Sequence, residues 1–139
     1  MSLAIAKALM KSMPDYSSLA MESISCMQNL GKKYPHAGNG GSFKQWLRSN
    51  NSLPYHSWGN GSAMRVSACG YAASSIEPAV KLSRDVSSVT HNHPEGIKGA
   101  ESIVVIIFMV LHGSSMLEIQ DYSGILFHFH LGSSSIWMA

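Results

Sequence analysis

Apolar residues recur at three- and four-residue intervals along most of this chain, and clusters of Gly, Pro and Asn interrupt them. That pattern commits it to helices joined by loops. Leu3, Ala6, Met10 and Met13 form the first stripe, and Pro14 ends it. Asp15 is placed to cap a second helix with Tyr16, Leu19, Ala20, Ile24 and Met27, and Gly31 falls where a C-terminal glycine belongs. A glycine-rich loop covers 32–41, after which Ser42 opens a short amphipathic segment carrying Phe43, Trp46 and Leu47. The turn-rich stretch 50–60 reads as loop. From Ser62 a helix of small residues is predicted, in which Ala63, Val66, Cys69, Gly70 and Ala73 permit very close packing. Ser75 caps the next, with Pro78 in its first turn and Val80, Val86 and Val89 as its face. A polar loop spans 90–96, an apolar helix starts at Gly96 or Ile97 and runs through Leu111, and Ser115 with Glu118 forms the capping box of a last helix. Beyond Tyr122, Phe127, His128, Phe129 and His130 alternate, which predicts a short strand or a frayed tail. No period of 20–50 residues appears, so the expected class is all-α without repeats.

Size and charge narrow the function classes. A length of 139 residues suits one domain with one core. Ten basic residues against eight acidic give a net charge of +2, too balanced for a dedicated nucleic-acid binder. Charged residues are 13% and hydrophobic ones 45%, which excludes disorder driven by charge. Mean hydropathy is +0.05, and the longest apolar run, 103–111, is about half of what a bilayer crossing needs. Lys7 and Lys11 interrupt the apolar N-terminal segment, which therefore does not read as a secretory signal. Cys26 and Cys69 are far apart with no Cys-x-x-Cys, so a reducing, cytoplasmic setting is expected. No two of the eight acids are adjacent or separated by two, leaving little material for a Mg²⁺ site.

Three loops carry residues suited to chemistry. In the first, Gly38, Gly40 and Gly41 precede a helix, where glycine lets a ligand approach the backbone and free N–H groups attract anions. The second, Gly59-Asn60-Gly61-Ser62-Ala63-Met64-Arg65, adds an Arg whose planar fork suits phosphate. The bland alternative is an Asn-Gly turn and a Ser-capped helix with Arg65 solvated. The third, Thr90-His91-Asn92-His93-Pro94-Glu95-Gly96, holds groups able to bind a metal, a ribose or a phosphate, or simply to connect two helices. Its His-x-His-Pro resembles the metal-ligand segment of JAMM metalloproteases. Ser102 is one place late for that pattern, however, and Val105 stands where an Asp is required. Cys69, among small apolar neighbours, reads as a buried inert thiol, and the nine Met residues as core filler.

Taken in order, the loops resemble the ADP-ribosylglycohydrolase family, of the dinitrogenase-reductase-activating-glycohydrolase type. The likeness is carried by Gly38-Asn-Gly-Gly-Ser-Phe-Lys-Gln-Trp46, Gly59-Asn-Gly-Ser-Ala-Met-Arg-Val66 and Val89-Thr-His-Asn-His-Pro-Glu-Gly-Ile-Lys-Gly-Ala100. The resemblance implies a compact orthogonal helical bundle and hydrolysis of a glycosidic bond to ADP-ribose. It implies an ADP-ribose cleft lined by Gly38, Gly40, Gly41, Asn60, Gly61, Ser62, Met64 and His91. It also implies two Mg²⁺ ions held by a Thr-Asp-Asp segment and an Asp-x-Asp-Thr-type segment, neither of which this sequence contains. No metal ligands are therefore assigned. The expectation is an incomplete member of the bundle, with 1–122 as a partial family domain and 123–139 as a divergent tail.

Two functional readings follow from the resemblance. One is a glycohydrolase acting on ADP-ribose or an ADP-ribosylated substrate. The other is a catalytically inactive remnant that binds ADP-ribose or a nucleotide. A third, from the residues alone, is a metalloprotein using His91 and His93. None of them involves nucleic acid or a membrane.

Overall fold

Interrupted apolar periodicity of this kind gives helices that are individually too short to persist in water, so packing against one another has to stabilise them. A computed structural model describes residues 1–49 and 52–131, with side chains as far as 123, and it contains seven helices and no strand among them. They are α1 (Ser2–Ser12), α2 (Leu19–Lys33), α3 (Gly41–Arg48), α4 (Ser67–Ala72), α5 (Ile76–Ser88), α6 (Pro94–Leu111) and α7 (Met116–Leu131). The all-α expectation holds. α1 packs along α2 and α5 along α6; α4 bridges α1 and α6, α3 rests on α2, and α7 meets α6. Ile5, Leu19, Met27, Val66, Val86, Val104 and Val105 are fully buried at the centre, each contributing about 1.5–3 kcal/mol.

Local chemistry moves several predicted boundaries. In α1 the buried face is Ala4, Ile5, Ala8, Leu9 and Ser12, while Leu3 and Met10 are 78% and 76% exposed. Two apolar stripes coexist on this helix, and spacing alone chose the outer one. α2 starts at Leu19 because the Asp15 carboxylate accepts from the backbone N–H of Ser17 at 3.1 Å and Tyr16 sits at φ 57, closing a turn in place of a helical cap. Gly31 lies inside α2, not after it. A Cβ there would come within 2.6 Å of Leu47, so the glycine is what lets α3 approach. α4 begins at Ser67 since residues 59–66 form turns, yet its predicted close packing is present: at Gly70 a Cβ would lie 2.8 Å from Ile107 Cγ2. Ser75 holds the N-cap position of α5, without a side-chain cap hydrogen bond.

α6 begins at Pro94, earlier than predicted. Proline has no N–H to lose at a first helical position, and His93 Nδ1 accepts from the Glu95 backbone N–H at 3.2 Å. The Ser115–Glu118 capping box forms as read: Ser115 N–H donates to Glu118 Oε2 at 2.7 Å and Glu118 N–H to Ser115 Oγ at 3.3 Å. α7 then continues through Tyr122 to Leu131, where a short strand or frayed tail was expected. The side chains of His128 and His130 lie outside the described residues.

Candidate functional site

Two of the three loops meet. The turns 59–66 face the N-terminal end of α6 across a cleft of about 440 Å³, lined by Trp58, Gly59, Asn60, Ala63, Glu95, Gly96 and Gly99. Backbone pressed on backbone holds these walls together. Ser62, fully buried, donates its hydroxyl to the Gly96 carbonyl at 3.0 Å. A Cβ on Gly96 would lie 2.7 Å from the Ser57 carbonyl oxygen, and one on Gly61 would lie 3.1 Å from His91 Nε2. A side chain at Gly96 would wedge the loops apart, whereas one at Gly61 would require the His91 ring to give by a few tenths of an ångström.

Behind this wall stands Arg65, only 2% exposed and without a carboxylate partner among the described residues. Neither reading of the sequence, a solvated side chain or a phosphate donor, fits that burial. Its Nη2 donates to the carbonyl of Val86 at 3.0 Å and to Thr90 Oγ1 at 2.6 Å. Val86 belongs to the last turn of α5, whose free carbonyls carry the negative end of the helix dipole. The buried cation is thus compensated by a helix terminus, and Phe43 of α3 covers it with its ring centroid 6.0 Å away. Burial lowers the Arg65 pKa to about 10, so it stays charged at neutral pH.

That anchor orders the histidine loop. Thr90 Oγ1 lies 2.7 Å from His91 Nδ1 and 3.5 Å from the Ser87 carbonyl. With Arg65 already donating to the hydroxyl oxygen, the shorter contact assigns the hydroxyl proton to Nδ1, leaving the imidazole N–H on Nε2, beside Gly61. Burial, assisted by the Arg65 charge, pushes His91 down to about 4. It is a neutral, fixed donor at physiological pH. The Tyr55 backbone N–H donates to the Thr90 carbonyl at 3.2 Å, tying the preceding loop to the same point.

The remaining candidates are dispersed. Gly38, Gly40 and Gly41 are absent from the cleft lining and nothing lies within 4 Å of their Cβ positions; Asn39 between them lines a separate cleft. Met64 is 72% exposed. Cys69 is the buried thiol expected, its pKa pushed up to about 12 by burial. His91 and His93 each engage Nδ1 with a protein neighbour, and no three His, Cys, Asp or Glu converge among the described residues. Both cysteines are free and buried.

Of the cleft lining, Trp58 lies outside the three loops, while Gly59, Ala63, Glu95, Gly96 and Gly99 lie within the matching segments but outside the set that the resemblance implies. Trp58 remains 73% exposed at the cleft, close to the His93 ring, with centroids 6.2 Å apart. Gly96 and Gly99 are three apart and thus share a helix face, a spacing that was available in the sequence. Chemically, the cleft offers backbone amides, an indole face and one carboxylate, Glu95, which also pairs with Lys98 at 3.2 Å. No curated protein and no solved structure matches the chain significantly. The family model described as ADP-ribosylglycohydrolase does match it, over residues 1–126 of the 139, a span that includes all three loops. The chain belongs to the ADP-ribosylglycohydrolase family.

Proposed function

We propose that the cleft between 59–63 and the start of α6 binds ADP-ribose, or the ADP-ribose unit of a modified substrate or nucleotide. The observation that carries this reading is a run of turn backbone, 59–63, in which the amides of Asn60 and Ala63 lie on the cleft wall and donate to no acceptor among the described residues. Such a run suits a pyrophosphate, and the exposed Trp58 ring suits a base or ribose face. Asn60 and Gly61 are the direct contacts in this reading. Ser62 and His91 hold the turn in shape from behind, and Met64 borders it. Gly38, Gly40 and Gly41 enter through the resemblance, supported by their open surroundings. A cytoplasmic setting suits the free thiols.

The family is one of metal-dependent glycohydrolases. The described residues do not fit that metal: Glu95 is the one carboxylate lining the cleft, and no group of three His, Cys, Asp or Glu forms among the described residues. No hydrolytic step is therefore derived through an ion. Glycosidic hydrolysis remains the reading that family membership supports, with Mg²⁺ as its implied ion, and binding is the reading that the geometry supports.

Calorimetric titration with ADP-ribose tests the proposal. Saturable binding that weakens at least tenfold in Asn60→Asp, where a negative charge would face the phosphates, is expected. Unchanged affinity in that variant overturns it. Release of ADP-ribose from an ADP-ribosylated peptide, assayed across a Mg²⁺ series, separates the two readings: release supports the hydrolase, and binding without release supports the binder.

A further inference from the structure

The eight acids are distributed unevenly. Between Glu22 and Glu77 the chain contains none, while Lys32, Lys33, Lys44, Arg48 and Arg65 all fall there. Arg65 is buried, and the exposed charges of this stretch are all cationic. The fold gathers much of that charge at one place. Lys32 near the end of α2 and Lys44 and Arg48 on α3 line a second cleft of about 230 Å³, floored by Gly31 and Leu47 and walled by Pro35 and Asn39. No acidic residue lines it, and none of its three cations joins an ion pair among the described residues. Four cations elsewhere on the surface are paired, in Lys11–Glu22, Lys81–Asp85, Arg84–Glu101 and Lys98–Glu95, while Lys7 and Lys33 join no ion pair among the described residues but line neither cleft. The Asn39 amide nitrogen adds a buried donor with no acceptor.

Like charges gathered around one cavity repel, at a cost that an internal carboxylate would relieve. An external anion relieves it equally, and Arg supplies a planar fork while Lys supplies point charges, the mixture that suits tetrahedral oxyanions. We propose that the α2–α3 cleft is an anion site that takes a phosphate group, free or carried by a small molecule, held by Lys32, Lys44, Arg48 and the Asn39 amide. The site is separate from the 59–63 cleft and does not depend on that cleft binding ADP-ribose.

The test follows NMR shifts of the full chain during titration with inorganic phosphate and with ribose 5-phosphate at low ionic strength, using acetate as the control anion. Saturable shifts centred on α2 and α3 are expected, weakened at least tenfold in Lys32→Gln/Lys44→Gln/Arg48→Gln and retained in Asn60→Asp. Arg48→Gln alone, the milder change, should weaken binding severalfold. Tighter binding of ribose 5-phosphate identifies a carried phosphate, and equal binding a free one. Loss in Asn60→Asp with retention in the triple variant would place the phosphate in the first cleft and overturn the proposal. Shifts that never saturate, or that acetate reproduces, would overturn it as general charge attraction.

Discussion

The two clefts solve opposite problems. Around the 59–63 turn the buried polar side chains largely find partners within the protein: Ser62 on Gly96, Arg65 on the end of α5, Thr90 on His91. Around the α2–α3 cleft the cations and the Asn39 amide find none. The first arrangement invests in shape and the second in charge. A pocket whose wall is fixed by internal hydrogen bonds selects ligands by fit, whereas one lined by solvated cations selects by charge and is sensitive to salt.

Perturbing the two regions should therefore have unequal effects. The largest is expected for Gly96→Ala, where the new Cβ would sit 2.7 Å from the Ser57 carbonyl oxygen. A loss of about 3 kcal/mol in urea unfolding is predicted, and a loss near zero would mean the two walls are free to separate. Next comes Arg65→Met, which strips the Val86 carbonyl and Thr90 hydroxyl of their donor while keeping the apolar stem. It should cost about 2 kcal/mol, and an NMR titration should find the His91 pKa higher once the neighbouring charge is gone.

His91 itself gives a smaller, pH-graded effect. Its folded pKa of about 4 lies below the ordinary 6.5, so between those values the unfolded chain binds a proton that the native one refuses. Stability is full above pH 6.5 and falls as pH drops toward 4, by about 1 kcal/mol between pH 6.5 and 5.5. Urea midpoints measured over that range should flatten in His91→Gln; an identical slope would assign the acid sensitivity to other groups. Least of all, Lys44→Gln or Arg48→Gln should move the unfolding midpoint by less than about 0.5 kcal/mol. A clear stabilisation on neutralising either would sharpen the contrast, since it would measure the repulsion left unrelieved at that cleft.

The sequence made the loops legible because turn and cap chemistry is local. The Ser115–Glu118 box and the Gly-Asn-Gly turn needed only neighbouring residues to be recognised, and the match over residues 1–126 agrees with the family read from the three loops. What escaped depends on distant partners. Nothing adjacent to Arg65 reveals that a helix terminus 21 residues on will accept its hydrogen bond. The stripe Ala4, Ile5, Ala8 and Leu9 competes with Leu3, Met10 and Met13 on equal terms until α2 and α4 choose between them. Gly31 looked like a stop because its packing partner, Leu47, belongs to another helix.

The six-residue α4 has a consequence for how the molecule opens. A helix that short does not survive by itself, and this one exists only while Gly70 is seated against Val104 and Ile107 of α6 and its other flank is covered by α1. Its amides cannot trade hydrogen for deuterium by local fraying without surrendering that seat. They should exchange at the pace of whole-domain opening, making the shortest helix the best clock for the stability of the entire bundle.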